Sequence, residues 1–187
     1  MTRYLALFLA CLAGPCLGDE VSDAPIETLM PPDLPVTDAA GHSDGFVTRL
    51  RHRGPVIVSF FYTGCVSLCD VTNGILYGVD QTLLEDGGEP VTLVSFSIDP
   101  FNDSPAALRE SAANFTPSDN WLWLTAGLRG TQPLMDGMGV TFESIQTHDA
   151  MFLVGDFCSF RFARIVGLPE PEQLIALARN VPECGSG

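Results

Sequence analysis

Residues 56–70 read Val-Ile-Val-Ser-Phe-Phe-Tyr-Thr-Gly-Cys-Val-Ser-Leu-Cys-Asp. The first six form an apolar run, which is typical of a buried β-strand. Cys65 and Cys69 follow it, four positions apart. If a helix starts at this pair, both side chains lie on one helix face and both sulfur atoms can point at one small target.

A third candidate ligand, His148, lies far downstream. Two thiolates and one imidazole form a soft donor set that suits Cu(I) and can also hold Zn(II). The same two thiols could instead cycle through a disulfide. A purely structural disulfide is disfavoured, because so small a loop constrains the unfolded chain little.

The composition limits the classes of function. The chain has 187 residues, 46% of them hydrophobic, which fits one domain of ordinary size with an N-terminal extension. Its net charge is −14, and all nine basic residues are arginines. Nucleic acid requires a basic face, so a nucleic-acid partner is not expected.

Residues 1–18 have the features of a signal peptide. Arg3 supplies the positive charge, and residues 4–17 form an apolar run before a passable cleavage site. As a helix this run would span about 21 Å, short of the ~30 Å hydrocarbon core, which favours cleavage over a permanent anchor. A lipoprotein with Cys11 or Cys16 lipidated is a weaker alternative.

The rest of the chain divides into a linker and a domain. Residues 19–33 are rich in proline and acidic residues and are predicted to form an extended tether. Residues 34–187 are predicted to form the folded domain, with no apolar stretch long enough to span a membrane. Export to the periplasm is therefore expected, with membrane attachment only through an uncleaved N-terminal segment.

Cleavage would leave four cysteines, two of them outside the pair described above. Cys158 and Cys184 could form a disulfide that holds the last helix, or could be a separate pair of thiols. An oxidising compartment makes disulfide formation or metal binding the usual fate of such residues.

Hydrophobic periodicity and turn residues predict alternating strands and helices. The predicted strands are 34–38, 56–61, 91–98, 121–124, 151–154 and 160–165, with the last two forming a hairpin across Gly155 and Asp156. The predicted helices are 46–53, 73–85, one starting at Ser104-Pro105, 131–139 and 171–180. This order predicts an α/β fold in three layers.

Three motifs resemble the SCO/SenC family of thioredoxin-fold copper proteins. Residues 60–69 are similar to the family's F-x-Y-T-x-C-P-x-x-C metal loop, with Val66 where the family has proline. Residues 97–105, Ser-Ile-Asp-Pro-Phe-Asn-Asp-Ser-Pro, are similar to S-V-D-P-x-x-D-T-P. His148, eight residues before Asp156, is similar to the family's H-S-x-x-x-x-L-x-D, with Asp149 in place of the residue after the histidine.

The resemblance implies a thioredoxin-like three-layer sandwich with a central mixed β-sheet. It also implies copper bound by Cys65, Cys69 and His148, and assembly of the Cu-A centre of cytochrome c oxidase. The partner would then be the copper subunit of that oxidase or another copper-enzyme client.

Other residues with chemical potential have simpler interpretations. Met135 and Met138 are expected in the core, Trp121 and Trp123 on one face of a strand, and Asp99 in a turn. His42 is expected in a turn and His52 in a solvated basic patch.

The leading hypothesis is a copper metallochaperone, which is not an enzyme. The alternative is a thiol–disulfide oxidoreductase, in which one cysteine attacks a client disulfide and the other resolves the mixed disulfide. The C-x-x-x-C spacing, one residue wider than that of thioredoxin-like catalysts, argues against it. A peroxidase of peroxiredoxin type is disfavoured because Pro55 and Thr63 do not have that family's spacing from the cysteine.

Overall fold

The computed structural model describes residues 24–65, 67–87 and 91–182, which form eight strands and five helices. The strands are β1 (Ile26–Thr28), β2 (Pro35–Asp38), β3 (Ser43–Gly45), β4 (Val56–Phe61), β5 (Thr92–Ser97), β6 (Trp121–Thr125), β7 (Met151–Asp156) and β8 (Arg161–Val166). The helices are α1 (Phe46–Leu50), α2 (Leu68–Asp86), α3 (Pro105–Ala113), α4 (Gly127–Gly137) and α5 (Pro171–Arg179), and a 3-10 turn covers Ile145–Thr147. None of these helices is long and apolar enough to cross a membrane.

All eight strands belong to one mixed sheet, in the order β1-β8-β7-β4-β5-β6-β2-β3. The central strands β4, β5 and β6 are parallel, and every other pairing is antiparallel. In the pairing of β4 with β5, Phe61 lies opposite Ser97. The chain therefore leaves both strands at the same edge of the sheet, which brings the two following loops together.

Alternating residues of β4 serve two separate cores. Val56, Val58 and Phe60 pack in a cluster with residues of α1 and α4. Ile57 and Phe61 point the other way, into a cluster with residues of α2, α3 and α5. This two-sided burial explains the apolar run and confirms the predicted three-layer α/β fold with a central mixed sheet.

The predicted capping of α3 is also confirmed. The Ser104 side chain accepts a hydrogen bond from the Ala107 N–H at 3.2 Å, and Pro105 occupies the first turn. Two helices begin earlier than predicted: α2 starts at Leu68 and α4 at Gly127.

The predicted turn of the last hairpin was wrong. Gly155 and Asp156 lie inside β7, opposite Phe162 and Arg161, and the turn follows at residues 157–160. The Asp156 carboxylate holds this turn by accepting hydrogen bonds from the Cys158 N–H at 2.8 Å and the Ser159 N–H at 2.7 Å. Gly155 is needed where the strands come close, because a Cβ there would collide with the Arg161 carbonyl.

The N-terminal part of the described chain joins the sheet. Residues 26–28, within the segment predicted as a tether, form β1 and pair with β8. The Arg164 side chain binds the Glu27 carboxylate with Nε–Oε1 and Nη2–Oε2 distances of 2.7 and 3.1 Å. The segment predicted as a signal peptide, 1–18, and Cys184 lie outside the described residues.

Candidate metal centre

Cys65 and Cys69 lie in the segment that follows β4, at the carboxyl edge of the parallel strands. Cys65 is half-buried in the loop, and Cys69 is buried in the first turn of α2. The two sulfur atoms are joined in a disulfide, so the structure shows the oxidised form of the pair.

The cysteines are brought together by a loop and a helix start rather than by one helix face. Because α2 begins at Leu68, Cys65 precedes the helix. Its Sγ accepts a hydrogen bond from the Cys69 N–H at 3.2 Å, taking up one of the donors left free at a helix N-terminus. The same donor and the positive end of the helix dipole would favour a Cys65 thiolate once the disulfide is reduced.

A buried carboxylate anchors the cysteine loop to the neighbouring strand. Asp103 is 4% exposed and accepts hydrogen bonds from the Thr63 N–H at 3.1 Å, the Thr63 hydroxyl at 2.5 Å and the Ser97 hydroxyl at 2.6 Å. Thr63 is two residues before Cys65, and Ser97 ends β5. Asp103 therefore ties the loop that carries Cys65 to the end of β5.

Asp99, in the same loop after β5, forms the expected turn. Its carboxylate accepts hydrogen bonds from the Phe101 N–H at 3.0 Å, the Asn102 N–H at 3.2 Å and the Asn102 side-chain amide at 2.7 Å. Every one of these bonds holds backbone or side chain of the loop itself, which gives Asp99 a structural role.

His148 follows the 3-10 turn and is 8% exposed. Its Nδ1 lies 2.7 Å from the Ile145 carbonyl oxygen. A carbonyl can only accept, so Nδ1 carries the hydrogen and Nε2 of the neutral ring has a free lone pair. A backbone carbonyl in this position orients the imidazole as it does in many metal sites.

Tyr62 connects the histidine to the cysteine loop. Its ring is 5.9 Å from the His148 ring, centroid to centroid, and its carbonyl accepts a hydrogen bond from the Cys65 N–H at 3.1 Å. The Phe142 ring, also 5.9 Å away, contacts His148 as well. The imidazole is thus held by two aromatic rings and a carbonyl.

A cavity of about 270 Å³ opens beside the imidazole. It is lined by Phe60, Val140, Thr141, Phe142, Glu143, Thr147, His148, Asp149 and Met151. The cysteines do not line it, and no three His, Cys, Asp or Glu side chains among the described residues are grouped closely enough to hold a metal. In this oxidised form the structure therefore brings the two cysteines together but does not gather all three candidate ligands.

The chemistry of the three residues nevertheless fits a copper ion as cargo. Reduction of the disulfide would give two sulfur donors, Cys65 in the loop and Cys69 in the first turn of α2. The Nε2 atom of His148 is a nitrogen donor. Both donor types suit Cu(I), and the rings of Tyr62 and Phe142 pack against the imidazole.

Several other sequence predictions can be compared with the structure. Met135 and Met138 are buried in the core with α4, and Trp121 and Trp123 are buried on one face of β6, as predicted. His42 lies exposed in the turn between β2 and β3. Cys158 is disulfide-bonded, and Cys184, the other residue of the two alternatives considered above, lies outside the described residues.

Sequence reasoning missed the roles of Asp103 and Tyr62. Asp103 stands within the quoted motif at residues 97–105, but its function depends on the register of β4 and β5, which the sequence does not reveal. Tyr62 directly follows β4, where an aromatic residue gave no signal beyond strand propensity.

A family model described as SCO1/SenC matches residues 40–151, more than half of the chain. A curated relative, a SCO1 protein homologue from Bacillus subtilis (strain 168), is 34% identical over 70 residues. The matched segment covers 37% of this chain and 36% of that protein.

Solved structures share the fold at low sequence identity. One is BsSco, in which a disulfide switch was identified and which is described as a member of the Sco family of cytochrome c oxidase assembly proteins. It is 17% identical to this chain with a TM-score of 0.68, over 85% of this chain and 99% of that one. Arabidopsis thaliana ScoI, solved with copper bound, is 16% identical with a TM-score of 0.67, over 80% of this chain and 96% of that one. These likenesses show the thioredoxin-like fold, and with the family match they show that this chain belongs to the SCO1/SenC family.

Proposed function

We propose that this protein is an exported copper metallochaperone that carries Cu(I) between Cys65, Cys69 and His148. Its client would be the Cu-A centre of cytochrome c oxidase or another copper enzyme. The observation that carries the proposal is the Cys65–Cys69 pair at the start of α2, together with the oriented imidazole of His148. Tyr62 contacts both: its ring packs against the imidazole, and its carbonyl accepts a hydrogen bond from the Cys65 N–H.

The cysteine half of the site supplies the metal affinity. Reducing the disulfide yields two thiols, and binding Cu(I) requires them as thiolates. The Cys69 N–H that reaches the Cys65 sulfur favours the charged form of Cys65. A site of two thiolates and one nitrogen leaves room for a client ligand to enter, which a delivery protein needs.

The comparisons support this function without testing its ligands. The family match and the Arabidopsis relative solved with copper bound favour copper as the cargo. BsSco is described as belonging to a family of cytochrome c oxidase assembly proteins, which favours that enzyme as client.

Export and domain organisation remain part of the proposal. The charged and apolar segment at residues 1–18 would direct the chain to the periplasm and be removed, leaving the copper-binding domain predicted at 34–187. Of the predicted tether at 19–33, residues 26–28 already belong to the sheet of that domain as β1. In that compartment oxidation of Cys65 and Cys69 competes with copper loading.

A thiol–disulfide oxidoreductase is the second candidate, favoured by the disulfide itself. The reduced pair would give two electrons to a client disulfide, which becomes a dithiol while Cys65 and Cys69 become oxidised. This function gives His148 no task, which is why copper transfer is the better account of the whole site.

Titration with Cu(I) against a chromophoric competitor tests the proposal. The reduced protein is expected to bind one Cu(I), and Cys65→Ser or Cys69→Ser should abolish high-affinity binding because each removes one thiolate. A variant with Cys158→Ser and Cys184→Ser is the matched control and should bind as the parent does. Unchanged affinity in either Cys65→Ser or Cys69→Ser would refute the metallochaperone.

A further inference from the structure

Phe101 is the most exposed large hydrophobic side chain in the described residues, with 81% of its surface accessible. Single exposed apolar residues are common on protein surfaces and need no explanation by themselves. Phe101 differs from the others in how it is held and where it lies.

Hydrogen bonds to two buried carboxylates fix the turn that carries Phe101. Asp99, 5% exposed, accepts hydrogen bonds from the Phe101 N–H and from two donors of Asn102. Asp103, on the other side, is bonded to Ser97 and Thr63. The aromatic ring is thus presented on ordered backbone, so a partner that binds it would order little further.

The same turn lies at the edge of the sheet where the cysteines are. Phe61 and Ser97 are paired in the sheet. Cys65 lies four residues after Phe61, and Phe101 lies four residues after Ser97. Hydrogen bonds from Thr63, two residues before Cys65, to Asp103, two residues after Phe101, join the two loops. A protein that reaches Cys65 from solvent therefore approaches Phe101 as well.

The charges around this edge indicate the chemistry of such a partner. Asp70 directly follows Cys69, Asp149 directly follows His148, and both are exposed. The chain as a whole carries a net charge of −14. An approaching surface with basic residues would be attracted, and an acidic one would be repelled.

We propose that Phe101 is the docking anchor for the client protein that exchanges copper with the Cys65–Cys69 pair. The partner surface would have an apolar recess for the ring, arginine or lysine residues around it, and the receiving cysteines within reach. This inference rests on the proposed function, since it names how the client is engaged.

The test uses the apo, reduced copper-binding domain of the cytochrome c oxidase copper subunit as the client. Copper-loaded parent, Phe101→Ala and the control Leu128→Ala are mixed with it, and the second-order rate constant of transfer is measured. Leu128 is also highly exposed, at 65%, but lies on α4. Phe101→Ala should slow transfer about 10-fold, as expected for an aromatic interface anchor, while Leu128→Ala transfers at the parent rate.

Two further readouts separate docking from a structural effect. The Cu(I) affinity of Phe101→Ala and the rate at which its disulfide reacts with a small thiol should equal those of the parent. Added salt should slow transfer by the parent, because it screens attraction to a basic client.

Transfer by Phe101→Ala within twofold of the parent rate would overturn the proposal. An equal loss of Cu(I) affinity would also overturn it, since Phe101 would then support the loop. So would a self-associating parent whose dimer is lost in Phe101→Ala. If the parent binds no Cu(I), the proposed function fails. Docking is then tested by electron exchange between the reduced parent and the client domain in its disulfide form. Phe101→Ala should again react about 10-fold more slowly than the parent.

Discussion

The loop that carries Cys65 and the segment that carries His148 are held in place by different kinds of hydrogen bond. The cysteine loop is bound through Thr63 to Asp103, 40 residues away in sequence, and through it to the central sheet. The side-chain hydrogen bonds of residues 144–148 are local: the imidazole of His148 bonds to the carbonyl of Ile145, three residues back, and Thr147 bonds to Ser144.

This difference indicates a division of labour within the site. The cysteine half is fixed to the core by a buried carboxylate, so its geometry is set when the domain folds. The histidine half depends on its own short turn and on contacts with the rings of Tyr62 and Phe142. Segments with few long-range bonds open at lower cost, so the histidine is the half that can adjust when cargo enters or leaves.

Removing the anchor of the cysteine half should have the largest effect on stability. Asp103→Ala leaves the Thr63 and Ser97 donors without their buried partner, and should lower the free energy of unfolding by about 3 kcal/mol. It should also weaken Cu(I) binding, because the Cys65 loop loses its tie to β5. Urea unfolding and competitive Cu(I) titration measure the two effects.

Asp80→Ala is the matched control for Asp103→Ala. Asp80 is also a buried carboxylate, 2% exposed, and it accepts hydrogen bonds from the Ser118 N–H and hydroxyl, away from the cysteines. It should lose comparable stability and keep the Cu(I) affinity of the parent. If Asp103→Ala also keeps that affinity, the cysteine half does not depend on its anchor and the contrast between the halves is lost.

Substitution in the histidine half should affect Cu(I) binding more than stability. His148→Ala should weaken Cu(I) binding at least about 10-fold, since even the outer partners of metal ligands are worth that much. Its cost in stability should be smaller than that of Asp103→Ala, because the variant removes packing against two rings and one hydrogen bond within the turn, but leaves the tie between the cysteine loop and the sheet intact. Competitive titration and urea unfolding are again the measurements, with His42→Ala, at an exposed turn, as control.

The same variant makes a pH test of the ligand. Protons compete with copper for the imidazole nitrogen, so the Cu(I) affinity of the parent should fall more steeply than that of His148→Ala as the pH is lowered. Thiol competition is common to both proteins and cancels in the comparison. Parallel pH profiles would remove His148 from the ligand set.

The smallest effect is expected far from both halves. Burial raises the pKa of Asp38. Hydrogen bonds from the Arg49 side chain and the His42 N–H, together with the charge of Arg49, lower it by more, so the pKa lies below its ordinary value. A pKa lowered by folding stabilises the protein above the pKa of the unfolded chain, and this stability is lost as the pH falls through the folded value.

Asp38→Asn should therefore cost about 1 kcal/mol at neutral pH and progressively less below about pH 4. Urea unfolding at several pH values measures the difference. Copper binding should not change, because Asp38 contacts neither half of the site. A constant difference at all pH values would show that the carboxylate charge is not the source of the stability.

The sequence predicted the parts of the fold with a strong repeating signal. The run of β4, five apolar residues and Ser59, is typical of a buried strand, and the bounds predicted for it, 56–61, match those observed. The three-residue strands β1 and β3 are too short to show alternation, so neither was predicted. The last hairpin was misplaced because Gly155 was interpreted as a turn residue, whereas it fills a crowded position inside a strand.

The candidate site was only partly visible for a similar reason. Cys65, Cys69 and His148 are marked by residue type and by motif, and so could be named in advance. Asp103 and Tyr62 act through partners that are distant in sequence, and their roles appear only when the register of the sheet is known. The sequence thus indicates which donors are present, and the structure shows what holds them.

The two outermost strands, β1 and β3, have a consequence for association between copies of the chain. Each exposes the backbone of only three residues, and each has an acidic residue at its centre, Glu27 in β1 and Asp44 in β3. A strand from a second molecule would find few free amides and carbonyls along either border. At β3 it would also meet the negative charge of Asp44, whereas Glu27 of β1 is ion-paired with Arg164. Within the part of the chain that the structure describes, the eight-stranded sheet therefore offers only short borders for the addition of a strand from another molecule, which disfavours amyloid-like stacking.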